Sequence, residues 1–349
     1  MGISGSSSFL AAVAIITGLS SGVAAARDLT VVSWGGNYQD VQREIYFEPF
    51  SEQNETPILE ESWNGGYGVL AAQMQGGAPS WDVIQVEAEE LELGCFDGIY
   101  ETIDWEMMGG EDQFFDSTVS ECGVGAIVWS TVLAYDGDRL DAEIDGWEDF
   151  WDIETYPGSR GLRRGPKLTL EIALMADGVP PEDVYDTLRT DEGVDRAFAK
   201  LDEIKNDIVW WEAGAQPLQL LASGELAMTA AYSGRIFAAN ETEDRNFEVV
   251  WNGSIYAVDS WVVLSGSPNK DAAMEFIRFA SLAENQAKMP PEIPYGMSNV
   301  DVSNMLSDDV LEQLPTAPAN LEGALETDVN FWVDNVEELT GRFNAWLAQ

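Results

Sequence analysis

The chain has 349 residues, 45% of them apolar, enough for two hydrophobic cores and too few for three. Against 62 Asp and Glu stand only 17 Lys and Arg, a net charge of −45 that excludes nucleic acid as a partner and disfavours anionic membrane surfaces. Histidine is absent, which removes the usual general base, the Ser-His-Asp and Cys-His arrangements and the commonest metal ligand, so no catalytic residue, metal site or cofactor is expected.

So many like charges would repel one another in the compact state unless salt screens them, and a saline habitat is inferred over a merely acidic secreted protein. Residues 1–26 read as an export signal. An apolar stretch from Phe9 to Leu19 is followed by Val23-Ala24-Ala25-Ala26, an A-x-A-like site before Arg27, although the first eight residues lack the usual positive charge. The stretch is too short to span a bilayer. Two cysteines in an exported chain fit one disulfide, Cys95–Cys122, closing a loop worth about 3–4 kcal/mol.

From Leu29 onward short β runs alternate with helical stretches, the pattern of a sheet flanked by helices and hence an α/β fold. Leu29 to Ser33 is expected as a strand, Val41 to Phe50 as a helix and Pro57 to Glu61 as extended. Asp82 to Val86 reads as a strand leading into an acidic helix, Glu87 to Leu93, and Ala126 to Tyr135 as another strand. The polar, Gly-bearing segment Asp136 to Asp145 marks where the chain leaves a first lobe. Helices follow at Thr169 to Ala176, Val194 to Asn206 and Gln216 to Ser223, then a strand at Leu226 to Tyr232 and a turn at Ser233-Gly234 into a further helix. Phe247 to Val250 and Ser260 to Leu264 read as two extended runs either side of a Gly-containing connection. Lys270 to Ser281 is amphipathic, with Ala273, Phe276, Ile277 and Ala280 on one face, and the tail containing Phe331-Trp332 and Phe343 to Leu347 is expected to pack as helices on the second lobe.

In open α/β sheets ligands sit beyond the carboxyl ends of strands. Trp34 lies at such an end, followed by Gly35-Gly36, where backbone approaches a ligand closely, and then Asn37-Tyr38. Tyr232-Ser233-Gly234-Arg235 repeats the arrangement in the second half, with a helix N-terminus that favours an anion. Arg235 suits a carboxylate held bidentately, or equally a surface ion pair with one of many acids. Asp259, inside the apolar run Tyr256 to Trp261, is placed to meet an ammonium, though spacing alone does not single it out. Thirteen Trp and ten Tyr permit an aromatic cage for a cation as well as ordinary core packing.

The Trp34-Gly35-Gly36 turn, Cys95 and Cys122 with the following Gly-Val-Gly-Ala-Ile-Val-Trp-Ser-Thr, Tyr232-Ser233-Gly234, Gly253 through Ser260, and Ile293-Pro294-Tyr295-Gly296 together carry a family pattern. On these residues the chain resembles the periplasmic spermidine/putrescine-type solute-binding proteins of ABC importers. The resemblance implies a two-lobed periplasmic-binding-protein fold of type II with three hinge crossings. It divides the chain into 27–136 plus 259–304 and 137–258 plus 305–349, and assigns cleft roles to Trp34, Tyr38, Tyr232, Asp259 and Tyr295. Where polyamine binders carry acids for the far amine, this chain has Lys167, expected to repel a second ammonium, with Glu171 as a partial replacement. The pairing of Arg235 with Asp259 is similar to relatives that take zwitterions such as γ-aminobutyrate. An ω-amino acid is therefore the expected ligand, its carboxylate on Arg235 and its ammonium on Asp259. Weaker candidates are Gly35, Glu87, Trp129, Trp211 and Gln216. The expected partners are a small amine-bearing ligand and an inner-membrane ABC permease, with the protein periplasmic and monomeric. A putrescine/spermidine-binding transport protein, a secreted glycosidase using paired carboxylates and a receptor module are the competing readings.

Overall fold

The computed structural model describes residues 1–2, 27–75 and 77–349, so the expected export signal falls almost wholly outside the described residues. The β-branched run Leu29–Ser33 forms β1, buried throughout, and Trp34-Gly35 turns the chain into a helical run. That run is an α-helix, α1 (Gly36–Gln42), a π-helical turn Arg43–Phe47, and α2 (Glu48–Asn54). Then come β2 (Ile58–Ser62), α3 (Tyr67–Gln73), β3 (Val83–Val86) and α4 (Ala88–Phe96). Glu87 caps α4 with a reciprocal capping box: its side chain takes the Glu90 N–H while Glu90 accepts from the Glu87 N–H. Cys95, in the last turn of α4, is disulfide-bonded to Cys122.

Beyond β4 (Gly123–Asp136) lie α5 (Trp147–Trp151), β5 (Ser159–Arg163), α6 (Thr169–Ala176), α7 (Val184–Leu188) and α8 (Asp191–Ile204). The second half continues with β6 (Ile208–Trp211), α9 (Gln216–Ser223), β7 (Leu226–Tyr232), α10 (Ser233–Glu243), β8 (Phe247–Val263) and α11 (Lys270–Ala280). The apolar stripe of α11 is buried as its spacing requires, Phe276 fitting among Phe47, Phe50 and Trp261. The C-terminal helix Val329–Leu347 anchors on the second half: Trp332 donates to Glu171 at 2.8 Å and Trp346 to Asp202 at 2.7 Å.

The strands join in the order β2-β1-β3-β8-β4-β7-β5-β6. β1 is parallel to β2 and β3, and β5 is parallel to β6 and β7, so each lobe carries its own parallel sheet. Antiparallel β4 and β8 lie between these sheets and belong to both. Phe247 to Val250 and Ser260 to Leu264 are therefore not two runs but one 17-residue strand. Pairing with β4 carries the backbone through the intervening glycine, the register slipping there, between Thr131 and Leu133, and again between Gly125 and Ile127. Both faces of β4 are covered, and every residue from Gly123 to Tyr135 is buried, Ser130 and Thr131 included. Among the described residues, no helix is long and apolar enough to cross a membrane.

Candidate functional site

The carboxyl ends of the parallel strands from both lobes converge on one cavity. Trp34 follows β1, Trp63 follows β2 and Glu87 follows β3; opposite them Arg163 ends β5, Glu212 follows β6 and Tyr232 ends β7. The middle of the shared pair contributes Ile127, Trp129 and Asp259, with Asp259 directly opposite Ile127 in the ladder. Tyr38, Arg235 and Tyr295, with Asn64 and Gly214, complete the wall. The space open to the centres of water molecules is about 40 Å³.

Asp259 is only 3% exposed, and its carboxylate accepts from Trp129 Nε1 at 2.6 Å and from Gln85 Nε2 at 3.4 Å. Burial, reinforced by the nearby charge of Glu87, pushes its pKa well above the usual aspartate range. The indole of Trp34 also faces this carboxylate, yet its buried Nε1 reaches no acceptor in hydrogen-bond geometry. Trp34 stacks on Trp63 with centroids 5.3 Å apart, and Trp129 and Tyr38 pack edge-on against Tyr232 and Tyr295. Gln85 ties the floor together, its amide shared among Tyr38, Gln42 and Ser33.

Arg235, likewise 3% exposed, stands in the first turn of α10 and reaches across to the other lobe. Its Nη1 donates to Gly35 O at 3.2 Å and Asn37 Oδ1 at 3.4 Å, and Nη2 donates to Trp34 O at 3.3 Å. All three acceptors are neutral, and Nε has no partner. Among the described residues this buried guanidinium, in a chain with 62 acids, bonds to no carboxylate. The glycines are required by this crossing. Gly36 has φ +63° and a Cβ there would lie 2.9 Å from Arg235 Nη1, while a Cβ on Gly234 would meet the Tyr295 ring at 2.8 Å.

The structure thus brings Trp34, Tyr38, Tyr232, Arg235, Asp259, Tyr295, Glu87 and Trp129 to one cavity. Gly35 meets it only through the carbonyl that Arg235 binds. Two candidates lie elsewhere. Trp211 is fully buried behind Tyr232, ring centroids 5.8 Å apart, and Gln216 turns back to accept the Glu212 and Ala213 N–H groups at the start of α9. Lys167 is not a bare charge at the pocket: it is bonded to Glu87 and Glu89 at 2.6–2.7 Å. Nor does Glu171 replace a missing acid, because it faces Tyr185 and Trp332 inside the second lobe. Burial would raise Glu87, but Arg163 and Lys167 outweigh it and hold its carboxyl well below the usual range.

Trp63, Gln85 and Arg163 escaped the sequence reading. Trp63-Asn64-Gly65-Gly66 repeats the strand-end aromatic and double glycine of Trp34-Gly35-Gly36 and was findable by that likeness. Arg163 sits at a strand end two residues before Gly165, in a chain where cations are scarce.

Comparison with known proteins agrees with this architecture. Over 326 residues, 93% of this chain and 92% of the relative, the sequence is 48% identical to a γ-aminobutyric acid-binding protein of Pseudomonas aeruginosa. More distantly it is 24% identical over 210 residues, 58% of each chain, to a spermidine/putrescine-binding periplasmic protein of Escherichia coli. Among solved structures, AgtB of Agrobacterium tumefaciens in complex with agropinic acid superposes with a TM-score of 0.85 at 30% identity, covering 92% of this chain and 99% of the other. The Atu4243-GABA receptor gives 0.80 at 33% identity, covering 93% and 98%. The open, unliganded A. tumefaciens protein AttC gives only 0.63 at 25% identity over a similar span, 92% and 99%. Residues 46–319 match the family model of the bacterial extracellular solute-binding proteins, and this chain belongs to that family.

Proposed function

We propose that this chain is the exported, periplasmic capture component of an ABC importer, and that its two lobes close on a zwitterionic ω-amino acid of the γ-aminobutyrate kind. It acts as a monomer, delivers the ligand chemically unchanged to an inner-membrane permease, and uses no cofactor. The lobes are residues 27–136 with 259–304, and 137–258 with 305–349. The chain crosses between them along β4, along β8 and again near residue 304.

One observation carries the ligand assignment. A buried carboxylate without a cation, Asp259, and a buried guanidinium without an anion, Arg235, face the same cavity. A ligand bearing one ammonium and one carboxylate supplies both missing charges, with the Trp34, Tyr232 and Tyr295 rings along its carbon chain. The second carboxylate on the wall, Glu87, offers little to a diamine because Arg163 and Lys167 occupy both its oxygens. The small cavity, with about 40 Å³ open to the centres of water molecules, also favours a short ligand. The names of two similar proteins, one from P. aeruginosa and one a GABA receptor, support the same choice. Closer superposition on a ligand complex than on an open protein supports reading this conformation as closed.

The test is thermal shift across ω-amino acids of three to six carbons, putrescine and spermidine. A ligand at 100 times its dissociation constant adds about 2.7 kcal/mol of stability. γ-Aminobutyrate or a one-carbon neighbour is expected to give the largest shift. Stabilisation by putrescine with none by any ω-amino acid would overturn the zwitterion reading in favour of polyamine transport.

A further inference from the structure

Beside the cavity, and mostly outside it, lies a second cluster of charges that crosses between the lobes. The start of α4 supplies Glu87, its cap, and Glu89; the end of β5 supplies Arg163 and the segment after it Lys167. Arg163 Nη1 is 2.6 Å from Glu87 Oε1, Lys167 Nζ is 2.7 Å from Glu87 Oε2, and the same Nζ is 2.6 Å from both oxygens of Glu89. Glu87, Glu89 and Lys167 are buried, and Arg163 is nearly so. Two carboxylates meet two cations, and the neighbouring buried Glu90, pushed up to about 8 by burial and by the two glutamates, adds no charge at neutral pH. Only Arg163 and Glu87 line the ligand cavity; Lys167 and Glu89 do not.

Lys167 is held toward α4 by an unusual backbone. The next residue, Leu168, has φ +69°, a left-handed conformation that a buried, branched side chain adopts only under tertiary constraint. Lys167 also lies 6.0 Å from the ring of Trp129, whose Nε1 binds Asp259 at 2.6 Å, so the cluster abuts the amine end of the site.

We propose that Lys167, acting with Arg163, is an interlobe latch that sets how readily the lobes close and so tunes ligand affinity from outside the cavity. This rests on the closing-clamp reading above. When the lobes part, the acids stay with one lobe and the cations with the other, and water solvates each set. Closing strips that water from four charges, which is tolerable only while they are matched. Loss of one cation leaves an unpaired carboxylate in the closed state alone. The penalty therefore falls on closure rather than on folding. Lys167 is a positioning residue in this scheme: it touches no ligand.

The experiment compares wild type, Lys167→Met and Lys167→Met/Glu89→Gln by calorimetric titration with γ-aminobutyrate and with 1-butylamine, together with ligand-free melting. Lys167→Met is expected to weaken γ-aminobutyrate at least about 100-fold, because breaking a buried pair one-sidedly is among the costliest charge changes. It should weaken 1-butylamine by the same factor, since closure is common to both ligands, and leave ligand-free melting unchanged. Glu89→Gln in the second variant removes the stranded charge and should restore affinity to within about tenfold of wild type. Unchanged affinity in Lys167→Met, a loss not restored by Glu89→Gln, or an equal fall in ligand-free melting temperature would each overturn the latch. If wild type takes putrescine and not γ-aminobutyrate, the ligand reading fails, and the same three proteins titrated with putrescine still decide the latch.

Discussion

Replacing Arg235 with alanine separates a zwitterion site from a structural interlobe contact. In the closed conformation the guanidinium makes three bonds of 3.2–3.4 Å to neutral acceptors, and its Nε has no partner among the described residues, so its removal forfeits only long contacts. Bonds from a cation are worth about 1.5–3 kcal/mol at good geometry and less at these lengths, and removing a poorly compensated buried charge offsets much of that. The folded state should therefore lose little. With γ-aminobutyrate bound, the same change strands a desolvated carboxylate, and truncating one member of a buried charge pair costs about 2–5 kcal/mol, a factor of roughly 30 to several thousand in Kd. Calorimetric titration reads this directly, with 1-butylamine, which has the ammonium but no carboxylate, as the control. The expected result is a large loss for γ-aminobutyrate, little change for the monoamine, and an intermediate loss in Arg235→Lys, which keeps the charge but not the planar fork. A loss of less than about threefold in Arg235→Ala, against the tenfold that 1.4 kcal/mol represents, would refute the assignment of the carboxylate to Arg235.

Asp259→Asn should abolish binding of every amine, since burial in the closed conformation raises the pKa of Asp259 and the ligand ammonium is what keeps its carboxylate charged there. By the same shift, wild-type affinity for an ammonium should fall as pH drops through a value above the ordinary aspartate range, and Asp259→Asn should remove that dependence; titrations at stepped pH check both. Glu171 is pushed up to about 7 by burial. A raised acid destabilises increasingly between its unfolded pKa and its folded one, so Glu171→Gln should gain on wild type from about pH 4.5 to 7, by at most about 3 kcal/mol, and stay level above that. Differential scanning across pH reads the difference. With a net charge of −45, wild-type melting temperature should rise with added NaCl well beyond 0.15 M, and a protein equally stable at very low ionic strength would contradict the saline reading.

Much of the framework was legible because local patterns carry it. Leu29–Ser33, Thr169–Ala176, Gln216–Ser223 and Leu226–Tyr232 form the elements their spacing demands, and the strand-end aromatics Trp34 and Tyr232 follow from where α/β sheets place ligands. What failed depends on contacts distant in sequence. Nothing local in Phe247–Val263 shows that pairing with β4 will carry the strand through Gly253. Lys167 looks like a repulsive charge until α4, some eighty residues earlier, brings Glu87 and Glu89 against it. Trp211 and Tyr232 both end strands, yet only Tyr232 faces the cavity, because the edge-on packing of the two rings puts Trp211 behind. A strand-end aromatic is thus a reliable sign of position and a weaker one of role.

The most direct measurement is a crystal structure of the protein with γ-aminobutyrate bound. The expected ligand lies in the cavity with its ammonium within hydrogen-bond distance of Asp259, its carboxylate on the Arg235 guanidinium, and its carbon chain between Trp34 and Tyr232. A ligand in the reverse orientation, or one whose ammonium is held by Glu87 or Glu212 with Asp259 unengaged, would contradict the account.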